Sequence, residues 1–304
     1  MGLPEFIREK RPKITESSVK TYCSVLRTFY RKAFPDDEHF DAEKFETEQK
    51  HVLDVLADIP YNKRKTIIAA IVVITDGNAA YRNIMMSDIK RIEKETAKQE
   101  LTEKQKANWI TPLEINDKLV ELAAEFKLMS AKSHIGVTEL QRAQPYIMLA
   151  LYSGKFVPPR RSTDYAIMKI GGDINPTADN YIDKKKKQFV FNRFKTVKTH
   201  GQERTEIPPE LWKILSKWMA MNSSEYLLTD RKGKPLSNVT LNQRINKLFP
   251  GKPNVGVNGF RKSFLTSKFG DMIERNKELG DTMKEMGSSA AVATSYIKNV
   301  DESD

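Results

Sequence analysis

One cysteine, Cys23, stands among 304 residues. No disulfide can close within the chain, and no cysteine-built zinc site is possible. A lone thiol fits a reducing compartment, and its simplest role is a small apolar residue on the first helix. Long apolar runs are also missing. The most apolar stretch, TIIAAIVVIT at 66–75, is too short to cross a bilayer and follows Arg64 and Lys65, so it reads as a buried helix. The opening MGLPEFIREKRPK has no apolar core of the kind a secretory leader needs, so a non-secreted protein is expected. Neither HExxH nor a compact acidic cluster is present, and no metal or other cofactor is expected. Acidic residues are the minority charge, 40 against 51 Lys and Arg, giving +11. That balance draws a protein to polyanions, with the basic excess expected on faces rather than spread evenly.

What is present reads as two parts. The first dozen residues resemble a flexible arm. Thr15 is a plausible N-cap, and after it Val19, Tyr22, Leu26, Phe29 and Tyr30 fall on one helical face. FPDDEHFD at 34–41 reads as a loop. A second helix is predicted over about 43–58, ended by Pro60. The run at 66–75 predicts a third, closed by Asp76-Gly77-Asn78, and a fourth, very polar, is predicted over about 88–107. NWITPLEINDKL at 108–119 marks a boundary, with Pro112 opening a new helix and Glu114 in its first turn. The expected division is therefore 1–108, all helical, and 112–304.

In the second part helices are expected over about 113–128 and 138–153. AIMKI, KQFVFNRF and RTEIP then read as short strands within 165–207. Beyond Pro208 the pattern returns to helix, to about Lys298. The expected class is mainly α with a small antiparallel sheet, α+β. KKKK at 184–187 reads as a solvated or polyanion-facing strand edge, or as nuclear targeting.

Four segments carry chemistry. PPRRSTDY at 158–165 sets two arginines after two prolines, with an acid at Asp164. FNRFKTVKTHGQERTEIP at 191–208 is a basic hairpin with Lys195 near its turn. NGFRKSF at 258–264 opens a helix, and MGSSAAVATSYIKN at 286–299 brings Tyr296 near the end of the chain. Metal-free cleavage of a phosphodiester needs these types. Fixed guanidiniums meet charge on the non-bridging oxygens. A Lys or His gives the leaving oxygen its proton, and a side chain attacks. Taken singly, each has a plainer role: Arg160 and Arg161 a surface pair, Lys195 and Lys198 phosphate-positioning residues, Arg261 a helix ion pair, Tyr296 a packing aromatic. Their order and spacing together favour chemistry.

That layout resembles the tyrosine recombinase and phage-type integrase family, over nearly the whole chain. Arg161 and Asp164 have the spacing of its first box. RFKT at 193–196 resembles its hairpin lysine, giving Lys195, with Lys198 the competitor. Asn258 to Arg261 has the His-x-x-Arg spacing of the second box. MGSS at 286–289 resembles its Leu-Gly-His-Ser-like turn, followed by the nucleophile position at Tyr296. ITESSVKTYCSVLRTFYRKAF resembles the family's helical core-binding domain. PPRRSTDYAIMKI resembles integrases of large DNA viruses, virophages and related mobile elements. Three positions depart from the pattern. Asn258 stands where His is usual, Ser288 where His or Trp is usual, and Lys262 where another His is common. Asn and Ser hydrogen-bond a phosphate oxygen but are not bases near neutral pH.

The resemblance implies a two-domain clamp on duplex DNA. Tyr296 would form a 3′-phosphotyrosine, Arg161 and Arg261 would hold the non-bridging oxygens, and Lys195 would protonate the departing 5′-hydroxyl. Asn258 and Ser288 would add neutral hydrogen bonds. Asp164 would orient Arg161 or a neighbouring loop. Arg160, Lys198, His200 and Lys262 would contact DNA, with Arg160 an alternative to Arg161 and His200 either a proton relay or an exposed loop residue. A homotetramer on synapsed double-stranded DNA is implied, residues 299–304 being a candidate tether between subunits, and with it DNA integration or another recombination. The location implied is intracellular, with DNA: the cytoplasm of a prokaryote, or the nucleus or viral factory of a host. A type IB topoisomerase and a catalytically decayed DNA-binding protein are the alternatives.

Overall fold

Amphipathic helices dominate the computed structural model, which describes residues 2–132 and 134–297. The chain separates into two compact units, Met1–Glu100 and Leu101–Asp304. No helix among the described residues is long and apolar enough to cross a membrane.

In the first unit, α1 (Leu3–Lys10) occupies the stretch expected to be an arm. Leu3 and Ile7, one turn apart, bury their side chains in the unit's core, which outweighs the polarity of the rest. α2 (Glu16–Ala33) starts where expected, its Thr15 side chain accepting from the Ser18 amide at 3.2 Å. The second expected helix is broken at Glu48 into α3 (Lys44–Thr47) and α4 (Gln49–Ala57). α5 (Tyr61–Ile74) begins directly after Pro60, and Gly77, at φ 87, closes it by donating its amide to the Val72 carbonyl. α6 (Ala79–Ala97) starts earlier than the charge pattern suggested, because the Asn78 side chain caps it, and it ends sooner. Ile7, Leu26, Phe45, Leu56, Ile68 and Tyr81 fill the core. A fork of two 2.7 Å bonds joins Arg64 to Asp88, whose side chain is almost fully buried.

The second unit opens with α7 (Glu103–Ala107), separate from α6, so the expected helix over 88–107 is two helices. α8 (Pro112–Ser130) carries a capping box between Thr111 and Glu114, and α9 (Val137–Tyr152) packs against it. A single turn, α10 (Ser162–Ala166), follows. β1 (Tyr181–Asp183), β2 (Gln188–Phe191) and β3 (Glu203–Glu206) form an antiparallel sheet in that order, with Tyr181 opposite Val190 and Gln188 opposite Glu206. AIMKI is not a strand; its Lys169 makes only isolated bridges to Tyr181 and Tyr226, and the first strand is instead the YID segment. The lysine run is the exposed β1–β2 turn, tied by the Asp183 side chain accepting from the Lys185 and Lys186 amides. α11 (Val197–His200) sits inside the β2–β3 hairpin. α12 (Pro209–Met221), α13 (Asn238–Lys247), α14 (Val257–Phe269) and α15 (Asp271–Glu285) complete the unit, with a 3-10 turn at Ala290–Val292 and α16 (Ala293–Tyr296). Lys298 and the expected tether 299–304 lie outside the described residues. Tyr165 stands at the centre of the core, edge-on to Tyr152, Phe189 and Phe191.

Candidate active site

Two prolines hold the chain extended ahead of Arg160 and Arg161, and α10 begins at the next residue. The turn of α10 carries the Asp164 carboxylate back over Arg160. Arg160 Nε donates to Asp164 Oδ2 at 3.0 Å and Nη1 donates to Glu203 Oε2 at 2.8 Å. Its guanidinium lies 3.8 Å from the Phe191 ring centroid and 5.4 Å from that of Phe194. Asp164 therefore positions Arg160, one turn away, and not Arg161 as its spacing suggested. Burial pushes the Asp164 carboxyl above its usual range, and the Arg160 charge and hydrogen bond hold it back.

Asn180 fixes the hairpin to this corner. Fully buried, its side-chain amide donates to the Asp164 and Arg193 carbonyls at 3.0 and 2.9 Å. Its oxygen accepts from the Asn192 and Arg193 amides at 2.8 and 2.7 Å. All four hydrogen-bonding sites of the side chain are used, so the start of the loop is locked to α10. Phe194 is buried below the loop, and Gly201, at φ 69, returns the chain to β3.

The result is a cleft of about 230 Å³ walled by Arg160, Arg161, His200, Glu203 and Arg261, with Thr196 from the loop. Arg261 reaches it from α14, which buries Val257 and Phe260 beneath. The Asn242 side chain caps that helix, accepting from the Val257 amide at 3.0 Å. Arg161 and Arg261, distant in sequence, thus share one cleft. Both carboxylates in its wall are bonded to Arg160. Among the described residues Arg161 and Arg261 make no ion pair. Two permanently charged guanidiniums, neither in an ion pair among the described residues, therefore line one concave wall, an arrangement that suits an anion.

The other expected residues lie elsewhere. Lys195 and Lys198 are exposed on the hairpin and do not line the cleft, so the geometry gives neither precedence. Asn258 and Lys262 are exposed on α14, flanking Arg261 in sequence. The MGSS turn ends α15: Gly287 takes φ 72 and the Ser288 amide donates to the Met283 carbonyl at 2.8 Å. Ser288 is half-buried. Tyr296, at the end of α16, is 61% exposed and stands outside the cleft wall. Between 270 and 297 only Met283 and Ala293 are buried.

Sequence reasoning passed over three features. Glu203 and Asn180 gave no motif, because their roles depend on partners far away in the chain. The third had a readable signal: Lys20, Arg27 and Arg31 recur at spacings of seven and four along α2, and all are exposed beside the α1–α2 groove. No group of His, Cys, Asp and Glu among the described residues is arranged to hold a metal ion. Comparison with protein-family models, curated proteins and solved structures returns no match.

Proposed function

We propose that this chain is a tyrosine recombinase or integrase that cleaves and rejoins double-stranded DNA through a 3′-phosphotyrosine. The observation that carries the proposal is the cleft that joins Arg161 to Arg261 while Arg160 occupies both nearby carboxylates. In this reading Arg161 and Arg261 hold the non-bridging oxygens, whose charge grows in the transition state. Tyr296 gives up its phenolic proton and attacks the phosphorus, the bond from phosphorus to the 5′-oxygen breaks, and Lys195 or Lys198 on the adjacent hairpin donates a proton to the departing 5′-oxygen. His200, in the cleft wall, is an imidazole that can take the phenolic proton and pass it on. The phosphodiester is exchanged for a phosphotyrosine, so ligation needs no external energy source. Asn258 and Ser288 supply hydrogen bonds and no base. The exposed bases on α2 give the first unit a DNA-facing stripe, and the two units act as a clamp. Synapsis by a homotetramer, integration as the outcome, and a viral or mobile-element origin belong to the same proposal.

The exposure of Tyr296 favours one second reading. A protein whose nucleophile is not delivered to the cleft would bind DNA without cutting it. Incubation with nicked suicide substrates, followed by denaturing electrophoresis, separates the two. A covalent protein–DNA adduct is expected. Binding that never yields an adduct across several substrates would establish the decayed binding protein. Supercoil relaxation by a monomer, without paired-site exchange, would instead reassign the chemistry to a type IB topoisomerase.

A further inference from the structure

α14 also presents a surface that shares no residue with the arginine cleft. Ser263, Phe264, Ser267 and Lys268 lie on it, and together with the start of α8 and the Ser153-Gly154-Lys155 turn after α9 they enclose a cleft of about 430 Å³. That volume is typical of a small-molecule pocket. Gly154 builds its floor. It takes φ 82, and a Cβ there would come within 2.4 Å of the Phe264 ring, so the turn and the ring meet only because no side chain intervenes.

Ser263 supplies the decisive feature. It is 1% exposed, and its hydroxyl has no hydrogen-bond partner among the described residues. A helical serine ordinarily returns its hydroxyl to the carbonyl one turn back. Ser263 does not, and a buried polar group without a partner is costly unless a ligand or solvent completes it. The walls agree on what the ligand would be. No carboxylate lines the cleft. Lys155 Nζ donates to Asn116 Oδ1 at 2.9 Å and keeps two further protons, and Lys268 Nζ lies 5.8 Å from the Phe264 ring centroid. Neither lysine makes an ion pair among the described residues. Ile115, Pro112 and the Phe264 ring supply apolar surface.

We propose that this cleft binds a small organic anion: an apolar body against Phe264, an anionic head between Lys155 and Lys268, and a hydrogen bond from or to Ser263. It is separate from the arginine cleft and does not depend on the recombinase reading.

Calorimetric titration of the full chain with phenyl phosphate, benzoate and inorganic phosphate tests it. At least one of the two aromatic anions should bind more tightly than inorganic phosphate. Ser267→Phe, at the exposed lip, should block the cleft without burdening the core. The Lys155→Ala/Lys268→Ala double variant should weaken binding by roughly 10-fold or more, the scale of a charge-assisted hydrogen bond. Ser263→Ala should weaken it less, and thermal melts should show each variant folded. The double variant Arg161→Ala/Arg261→Ala should retain the affinity. Three results would overturn the proposal: no binding by either aromatic anion, equal binding of inorganic phosphate, or binding that survives Ser267→Phe but is lost with the two arginines.

Discussion

Arg160 is held by two carboxylates and two aromatic rings, whereas Tyr296 sits 61% exposed on a four-residue helix. The contrast extends to their surroundings. The cleft wall stands on Tyr165, Phe189 and Phe191, all buried, and on the four hydrogen bonds of Asn180. The segment after α14 buries Met283 and Ala293, while Met272, Ile273, Met286, Val292 and Ile297 face outward. Groups that must meet a transition state gain from being fixed in advance, because no reorganisation is then needed during the reaction. A nucleophile that has to be delivered onto DNA gains nothing from being locked before DNA arrives. Regions with few buried contacts are the ones that open locally at low cost.

The largest expected effect lies on the loosely held side. Tyr296→Phe should abolish the DNA adduct, lowering cleavage by roughly 10⁶-fold, the scale on which loss of a nucleophile acts. Its melting temperature and DNA affinity should match wild type, since the ring is exposed and the lost hydroxyl makes no bond to the described residues. An adduct from the Phe variant would break the assignment. On the fixed side, Arg161→Ala and Arg261→Ala should each slow cleavage about 10²–10³-fold, as loss of one transition-state donor does, while leaving DNA affinity close to wild type. Wild-type cleavage by either variant would dissolve the anion site.

Stability should divide in the opposite sense. Asp164→Ala leaves Arg160 with Glu203 and the two rings, so the loss should be smaller than the about 3–5 kcal/mol seen when a buried charge is left without any partner. Denaturant melts should register that loss, and a value within experimental error of wild type would show that Glu203 and the rings suffice. Limited proteolysis should cut first within 270–297, with Met283→Ala hastening that cut and changing the global melt little. Cleavage beginning in the hairpin would reverse the comparison.

The smallest expected effect is acid-dependent. The Thr111 amide and the Lys252 ammonium hold the Glu114 carboxyl below its usual range. A depressed carboxyl contributes stability above its unfolded pKa, about 4.3, and loses it as pH falls through the lower folded value. Glu114→Gln should therefore melt below wild type at neutral pH, with the gap closing below about pH 4. A gap that stays constant with pH would assign the effect to side-chain shape rather than charge.

Local chemistry was legible where one stretch of chain decides the outcome. Thr15 and the Pro112–Glu114 start were readable because a cap involves residues three apart. The amphipathic face of α2 and the helix–sheet–helix order of the second unit followed from periodicity. The apparent arm was misread because Leu3 and Ile7 signal a helix only when a core exists to receive them. AIMKI was misread because its β-forming residues find no continuous partner strand, while the plainer YID pairs with β2.

The sequence by itself determined the basic excess, the helical bias and the candidate residues Arg161, Arg261 and Tyr296. Periodicity, capping and composition act over one or two turns of chain, so they can be read without a fold. The tertiary structure alone decided which arginine Asp164 holds, that Glu203 and Asn180 belong to the same corner, that Lys195 stands outside the cleft wall, and that Arg161 and Arg261 line one cleft. Apart from Arg160–Asp164, four residues apart, those pairings join residues distant in the chain, and all their energies depend on burial and on distances of a few ångströms, which spacing along the chain does not specify.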